Sequence, residues 1–275
     1  MRWADMDQLG HINNVVYVDY LQEARVDMFR THGPAASTGD LAEGVVVVRH
    51  EVTYVSPLLF GFRPVSIESW VTEIRAASFT VAYEILHEQP DGERRVYVRA
   101  KTVLTPYVFA TERPRRITPV ERETLALFLE PEPSQRPAPL GTPPERALHY
   151  PVHVRFSDVD VYGHVNNVKY FEYFQEGRIS GISEMWAGLD HVAVVVAQTD
   201  VDYRVPILFR PEPYDEWSWV TRIGQRSATI ESVIVDGDTV LARAQVTLVF
   251  FDQETQRSTV PPEEYLDRLR ERQAT

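Results

Sequence analysis

The chain has 275 residues, 44% of them hydrophobic and 25% charged, with a formal net charge of −12 and no cysteine. That length allows two domains, each able to bury its own core, and the missing thiols exclude disulfides, thiolate metal sites and a cysteine nucleophile. The acidic balance argues against a nucleic-acid partner, no apolar run reaches the length of a membrane span, and the two aspartates near the start lie where a secretion signal would be basic, then apolar, so a cytoplasmic setting is expected.

Residues 5–14 read DMDQLGHINN, and residues 158–167, which lie 153 positions further on, read DVDVYGHVNN. The same offset pairs Tyr17 with Tyr170, Tyr20 with Tyr173, Glu23 with Glu176 and Arg25 with Arg178. A repeat of this period is a whole domain written twice, not a solenoid unit. After the first motif, Val16, Tyr20, Ala24 and Met28 recur every four residues, which predicts a helix over 13–31 with these side chains on its buried stripe. β-Branched and aromatic runs then predict strands over 45–54, 65–73, 80–87 and 96–106, followed by a short helix over 119–129.

The stretch PEPSQRPAPLGTPP at 131–144 can neither continue a helix nor donate to a strand ladder at its prolines, so it reads as an extended linker. HYPVHVRF reads as a strand leading into the second motif, whereas only Arg2 and Trp3 stand between Met1 and Ala4 before the first. Either the first domain has a truncated edge strand or the true start codon lies upstream. The second half then repeats the order, with a helix over 167–186, strands over 192–203, 216–223, 229–235 and 240–251, and a closing helix over 261–272. Tyr54, Pro57, Phe60, Trp70 and Ser78 match Tyr203, Pro206, Phe209, Trp219 and Ser227 at an offset of 149. The expected organisation is a domain over 1–130, a linker over 131–147 and a second domain over 148–275, each an α+β unit with one long helix against a sheet.

The duplicated loop has the look of a metal site, because its D-x-D opening and the Gly at its sixth position imitate an EF-hand. The imitation fails where calcium needs ligands. Position five is Leu9 or Tyr162, and position twelve, where a bidentate Glu belongs, is Val16 or Lys169. A capping loop explains the Gly and one Asn. It does not explain why a second Asp, a His and both Asn recur in halves that otherwise differ widely. A functional reading uses the same geometry: a helix N-terminus offers unpaired NH groups and a positive dipole end that can steady an oxyanion. A carboxylate upstream can then act as nucleophile, or as base for a water, against a thioester.

D-x-D-x-x-G-H-[VI]-N-N followed by Y-x-x-Y-x-x-E-x-R resembles the signature of hotdog-fold acyl-CoA thioesterases of the 4-hydroxybenzoyl-CoA thioesterase type, and the likeness covers both halves. The resemblance implies a tandem (double) hotdog, in effect a fused dimer, in which a long central helix is wrapped by an antiparallel sheet. It implies Asp7 and Asp160 as the catalytic carboxylates, and backbone NH groups near Asn14 and Asn167 that polarise the thioester carbonyl. His11 and His164 are candidates to orient water or thioester, or to serve as hydrogen-bonded structural residues. Asn13 and Asn166, with Gly10 and Gly163, are candidates to contact substrate, the two Asn alternatively capping the helix. Asp5 and Asp158 are expected to fix the loop, and Glu23 and Glu176 to pair with a nearby Arg.

Arg113, Arg115 and Arg116 could meet the phosphates of coenzyme A, although a solvated surface run is the simpler reading. Trp70, Trp219, Tyr54 and Tyr203 read as core residues rather than acyl-pocket walls. The sequence contains no G-x-S-x-G elbow, H-E-x-x-H, P-loop or G-x-G-x-x-G. The expected activity is hydrolysis of acyl-CoA to free acid and coenzyme A, without metal and without a cofactor beyond the coenzyme A of the substrate. The expected partners are a small-molecule acyl-CoA, no nucleic acid and no membrane, with further homo-oligomerisation left open. The alternatives are an acyl-carrier-protein thioesterase of the same fold, which would need a basic docking patch, and a noncatalytic acyl-CoA-binding module, which would not need both carboxylates.

Overall fold

Runs such as VVVVRHEVTY favour extended backbone because branched side chains pack well on a pleated surface, and the computed structural model places a strand, β1, at Val45–Tyr54. It describes residues 1–8, 10–31, 41, 44–133, 143–190 and 192–273, and the chain divides into two compact units, Met1–Pro137 and Ala138–Thr275. Most of the expected linker, residues 134–142, lies outside the described residues.

In the first unit, helix α1 (Val16–Thr31) precedes β1, β2 (Ser66–Ile74), β3 (Phe79–Glu88), β4 (Arg94–Val108), the two-residue β5 (Arg113–Pro114) and helix α2 (Pro119–Ala126). The main strands form an antiparallel sheet in the order β2-β3-β4-β1, with β5 on the end of β4. The second unit opens with β6 (Leu148–Val152), continues with helix α3 (Lys169–Met185), and then has β7 (Val194–Tyr203), β8 (Tyr214–Ile223), β9 (Ser227–Asp236), β10 (Thr239–Asp252), the short β11 (Arg257–Ser258) and helix α4 (Glu263–Glu271). Its order is β6-β8-β9-β10-β7, again antiparallel. Each unit is thus a hotdog, one long helix against an antiparallel sheet, and the chain is a tandem of two.

The duplication extends to irregularities. The β2/β3 register slips between Val71 and Glu73, and the β8/β9 register slips at the matching Val220 and Arg222. A returning C-terminal segment pairs there in both units, with the Val71 NH donating to the Phe128 carbonyl and the Val220 NH to that of Arg272. Helix α2 begins with a capping box, in which the Thr118 hydroxyl accepts the Glu121 NH and the Glu121 carboxylate accepts the Thr118 NH.

The buried face of α1 differs from the expected stripe. Tyr17, Val18, Leu21, Arg25, Met28 and Phe29 are buried, whereas Val16, Tyr20 and Ala24 are only half-buried. Residues four apart overshoot the 3.6-residue turn, so a strict spacing of four drifts around the helix and off the core. The equivalent Arg25 and Arg178 are both buried at 6% exposure, a charge under each helix that the apolar pattern did not reveal.

Candidate active site

In each unit the duplicated loop begins in a short 3-10 turn, Trp3–Asp5 or Phe156–Asp158, that buries the first aspartate. Asp158 accepts the Arg155 NH at 2.9 Å, the Arg155 Nε at 3.0 Å and the Tyr173 hydroxyl at 2.7 Å. Asp5 accepts the same three donors from Arg2 and Tyr20. Burial alone would raise either carboxyl, but the tyrosine hydroxyl, the arginine NH and the guanidinium together outweigh it and hold both below the ordinary range. The first aspartate of each motif is therefore the anchor that ties the loop to its helix. Arg2 and Arg155 share the offset of 153 and complete this anchor; sequence reasoning passed over them.

The second aspartate sits in a tight turn. Asp7 NH donates to the His11 carbonyl at 2.8 Å, Gly10 NH to the Asp7 carbonyl at 3.0 Å, and the Asp7 Oδ1 accepts the His11 NH at 3.1 Å. The copy keeps these contacts: Asp160 NH to the His164 carbonyl at 2.8 Å, Gly163 NH to the Asp160 carbonyl at 3.1 Å, and Asp160 Oδ1 accepting the NH groups of Tyr162 at 2.9 Å and His164 at 3.4 Å. Gly10 and Gly163 hold φ of 76° and 83°, a left-handed conformation that favours glycine, so they shape the turn. Asp7 and Asp160 remain half-buried. Burial raises the buried hydroxyls of Tyr17 and Tyr170, and the charges of Asp7 and Asp160 contribute to this, which places each carboxylate near a tyrosine of the following helix.

The loop is pinned to a second strand connection by the Ile12 NH to the Leu58 carbonyl and the Val165 NH to that of Ile207, at 2.8 and 2.9 Å. It then feeds the helix. The side chains of Asn13 and Asn166 accept the NH of Val15 at 3.2 Å and of Val168 at 3.1 Å, so both act as caps. The next residue is held by its carbonyl: the Tyr54 hydroxyl donates to Asn14 at 2.9 Å and the Tyr203 hydroxyl to Asn167 at 2.8 Å. Tyr54 and Tyr203, read from sequence as core, thus position the helix entrance. The Asn14 NH makes no hydrogen bond among the described residues. His11 and His164 are half-buried and engage the turn through their main chains.

The outlying residues resolve case by case. Glu23 and Glu176 are exposed and form no ion pair among the described residues, because on each helix they face away from the buried Arg two positions on. Glu172 pairs with Arg155 and Lys169 instead. Arg115 is committed to Glu121 at 2.6 Å, which leaves Arg113 and Arg116 as exposed members of the expected cluster. Trp219 is fully buried, while Trp70 donates its indole NH to Glu132 at 3.1 Å. No group of three or more His, Asp or Glu suited to a metal ion occurs among the described residues. No described helix is long and apolar enough to cross a membrane.

The family model described as the Thioesterase-like superfamily matches residues 1–128 and again 154–269. The long-chain acyl-CoA thioesterase FadM of Escherichia coli K12 is 30% identical over 125 residues, which are 43% of this chain and 93% of that protein. Two solved structures share the fold along nearly the whole chain. The 12:0-ACP thioesterase of Umbellularia californica superposes with a TM-score of 0.73 at 16% identity, covering 91% of each chain. An acyl-ACP thioesterase of Bacteroides thetaiotaomicron gives a TM-score of 0.64 at 16% identity, covering 90% of this chain and 94% of that one.

Proposed function

For a chain that belongs to the Thioesterase-like superfamily and is a thioester hydrolase of tandem hotdog fold, we propose that the substrate is an acyl-CoA, hydrolysed to free acid and coenzyme A with Asp7 and Asp160 as the catalytic carboxylates. The observation that carries this reading is the doubled arrangement of a half-buried carboxylate in a rigid turn beside a helix entrance, at Asp7 with Asn14 and at Asp160 with Asn167. The likeness to FadM over one domain supports the choice of acyl-CoA.

In this mechanism the carboxylate takes a proton from a water, and the water oxygen adds to the thioester carbonyl. The carbonyl oxygen becomes an oxyanion, steadied by the NH at Asn14 or Asn167 and by the positive end of the helix. Collapse of the tetrahedral intermediate breaks the carbon–sulfur bond, and the departing sulfur recovers the proton held by the aspartate. In this reading His11 and His164, held in the same turn by their main chains, orient the water, and Gly10, Gly163, Asn13 and Asn166 give the loop its shape against the substrate. No metal or cofactor takes part.

Release of free thiol from a panel of short, long and aromatic acyl-CoAs tests this reading. The expected result is turnover on at least one class, undiminished by a chelator. Abolition by the chelator would contradict the metal-free mechanism. Turnover only on acyl carrier protein thioesters would move the substrate, and binding without turnover would contradict the assignment.

A further inference from the structure

Beneath α3 a carboxyl group is packed where the first unit has a hydrocarbon side chain. Ser69 pairs with Tyr83 and Ile67 with Ile85, whereas Ser218 pairs with Ser232 and Glu216 with Ile234, so Glu216 stands at the place of Ile67 and Ser232 at that of Tyr83. The helix differs in step, with Gly177 at the place of Ala24. A Cβ added at Gly177 would overlap both oxygens and the Cδ of the Glu216 carboxyl, so the helix backbone lies directly on that group. Glu216 is 1% exposed, and neither of its carboxyl oxygens has a hydrogen bond of normal geometry among the described residues.

Three elements, α3, β6 and β9, meet this carboxyl. From α3 comes Arg178, whose positive charge favours the ionised form. From β9 come the Ser232 hydroxyl, which also favours it, and Ile234, which pairs with Glu216 across the strands. From β6 comes Tyr150, the cross-strand partner on the other side, whose hydroxyl is raised by burial and then by the charges of Glu176 and Glu216. Glu176, on α3, is exposed. The buried pair of Arg243 with Glu231, at 2.9 Å, lies on the opposite face of the sheet, because Glu231 pairs with Trp219, an odd number of positions along β8 from Glu216. Burial outweighs Arg178 and Ser232 and pushes the Glu216 carboxyl up to about 8, so it is mainly protonated at neutral pH.

We propose that Glu216 is a proton-operated latch between α3 and its sheet, closed while the carboxyl is neutral and released when it ionises. A neutral carboxyl tolerates the Gly177 backbone and the apolar Ile234, whereas a carboxylate in their place needs solvent or further donors. Gly177 leaves no room for water between helix and sheet at that point, so the charge is solvated only when α3 lifts. Because the folded value lies above the unfolded one of about 4.3, the stability contributed by the neutral carboxyl is fully present below the unfolded value and is lost as pH rises through the folded one. The first unit has Ile67 at this place and nothing there to titrate. Helix α3 starts two residues past Asn167, so its release withdraws the helix entrance of the second candidate site alone. The latch stands without the thioesterase reading; its effect on turnover rests on that reading.

The test follows amide hydrogen exchange of the full chain in wild type and Glu216→Gln, each rate divided by its intrinsic value at that pH. Exchange corrected in this way reports the local opening equilibrium. In wild type the opening of α3 should rise at least about tenfold between about pH 6 and about pH 8, while that of α1 stays level. Glu216→Gln keeps the shape but cannot ionise, and should leave α3 level as well. Level opening of α3 in wild type, or an equal rise in Glu216→Gln, overturns the proposal. If Glu216→Gln does not fold, Glu216→Ile combined with Gly177→Ala, the residue types of the first unit, carries the same comparison. In turnover, Asp7→Asn, which retains only the second candidate site, should lose about tenfold more rate than Asp160→Asn between about pH 7 and about pH 9. Equal alkaline profiles would overturn the link between latch and site. Absence of thiol release from every acyl-CoA counts against the thioesterase reading alone, and the exchange measurement then decides the latch.

Discussion

The two aspartates of each motif lie in different surroundings. Asp158 is buried under three donors, whereas Asp160 accepts the main-chain NH groups of Tyr162 and His164 in its own turn and stays half-buried. Because the folded state holds the Asp158 carboxyl below its ordinary range, its contribution to stability is present above the unfolded value near 3.9 and is lost as pH falls through the lowered folded value. Asp158→Asn should therefore cost about 1–3 kcal/mol at neutral pH, the scale of a broken buried charged hydrogen bond. Its penalty should shrink near about pH 3. Urea midpoints at the two pH values check this; an equal penalty at both would contradict the account. The candidate carboxylates and glycines were legible because they recur in two copies, and so was the anchoring part of Asp5 and Asp158. The clamps by Tyr54 and Tyr203 were not, because a tyrosine on a strand gives no sign of whether its hydroxyl reaches a helix entrance far away in sequence.

Among the elements, strands were the most legible part, since β1 runs over the expected 45–54 and the others differ by a few residues at their ends. Branched side chains alternating in burial carry that signal. The helices were legible in place but not in facing, as the buried Arg25 and Arg178 show. The difference between Ala24 and Gly177 was visible in the sequence, but its meaning depends on Glu216 lying across the helix–sheet gap, a contact between residues nearly forty positions apart. Gly177→Ala should therefore push a methyl into the Glu216 carboxylate and cost about 1–3 kcal/mol, the usual range for overpacking. Adding Glu216→Ile, the residue type at the matching position 67 of the first unit, should recover most of that loss. Thermal denaturation of the single and double variants measures it, and a double variant no more stable than Gly177→Ala alone would show that the two positions are not coupled.

For the whole molecule, duplication is the governing fact. Both units keep the anchor, the turn, the cap and the clamp, down to matching register slips, while the space beneath the helix has diverged. The hydrogen bonds of the duplicated loop are the same in both units, and the side chains beneath the helix differ. The two-domain plan was legible from the repeat period alone, whereas the divergence required knowing which side chains face each other. The account predicts two competent sites in one chain. The most direct test is thiol release from the best acyl-CoA substrate by wild type, Asp7→Asn, Asp160→Asn and the double variant. Each single change should remove the turnover of its own site, by ~10² or more, so that the total falls in two steps and the double variant is nearly silent. Substantial turnover by the double variant would contradict the assignment of both carboxylates.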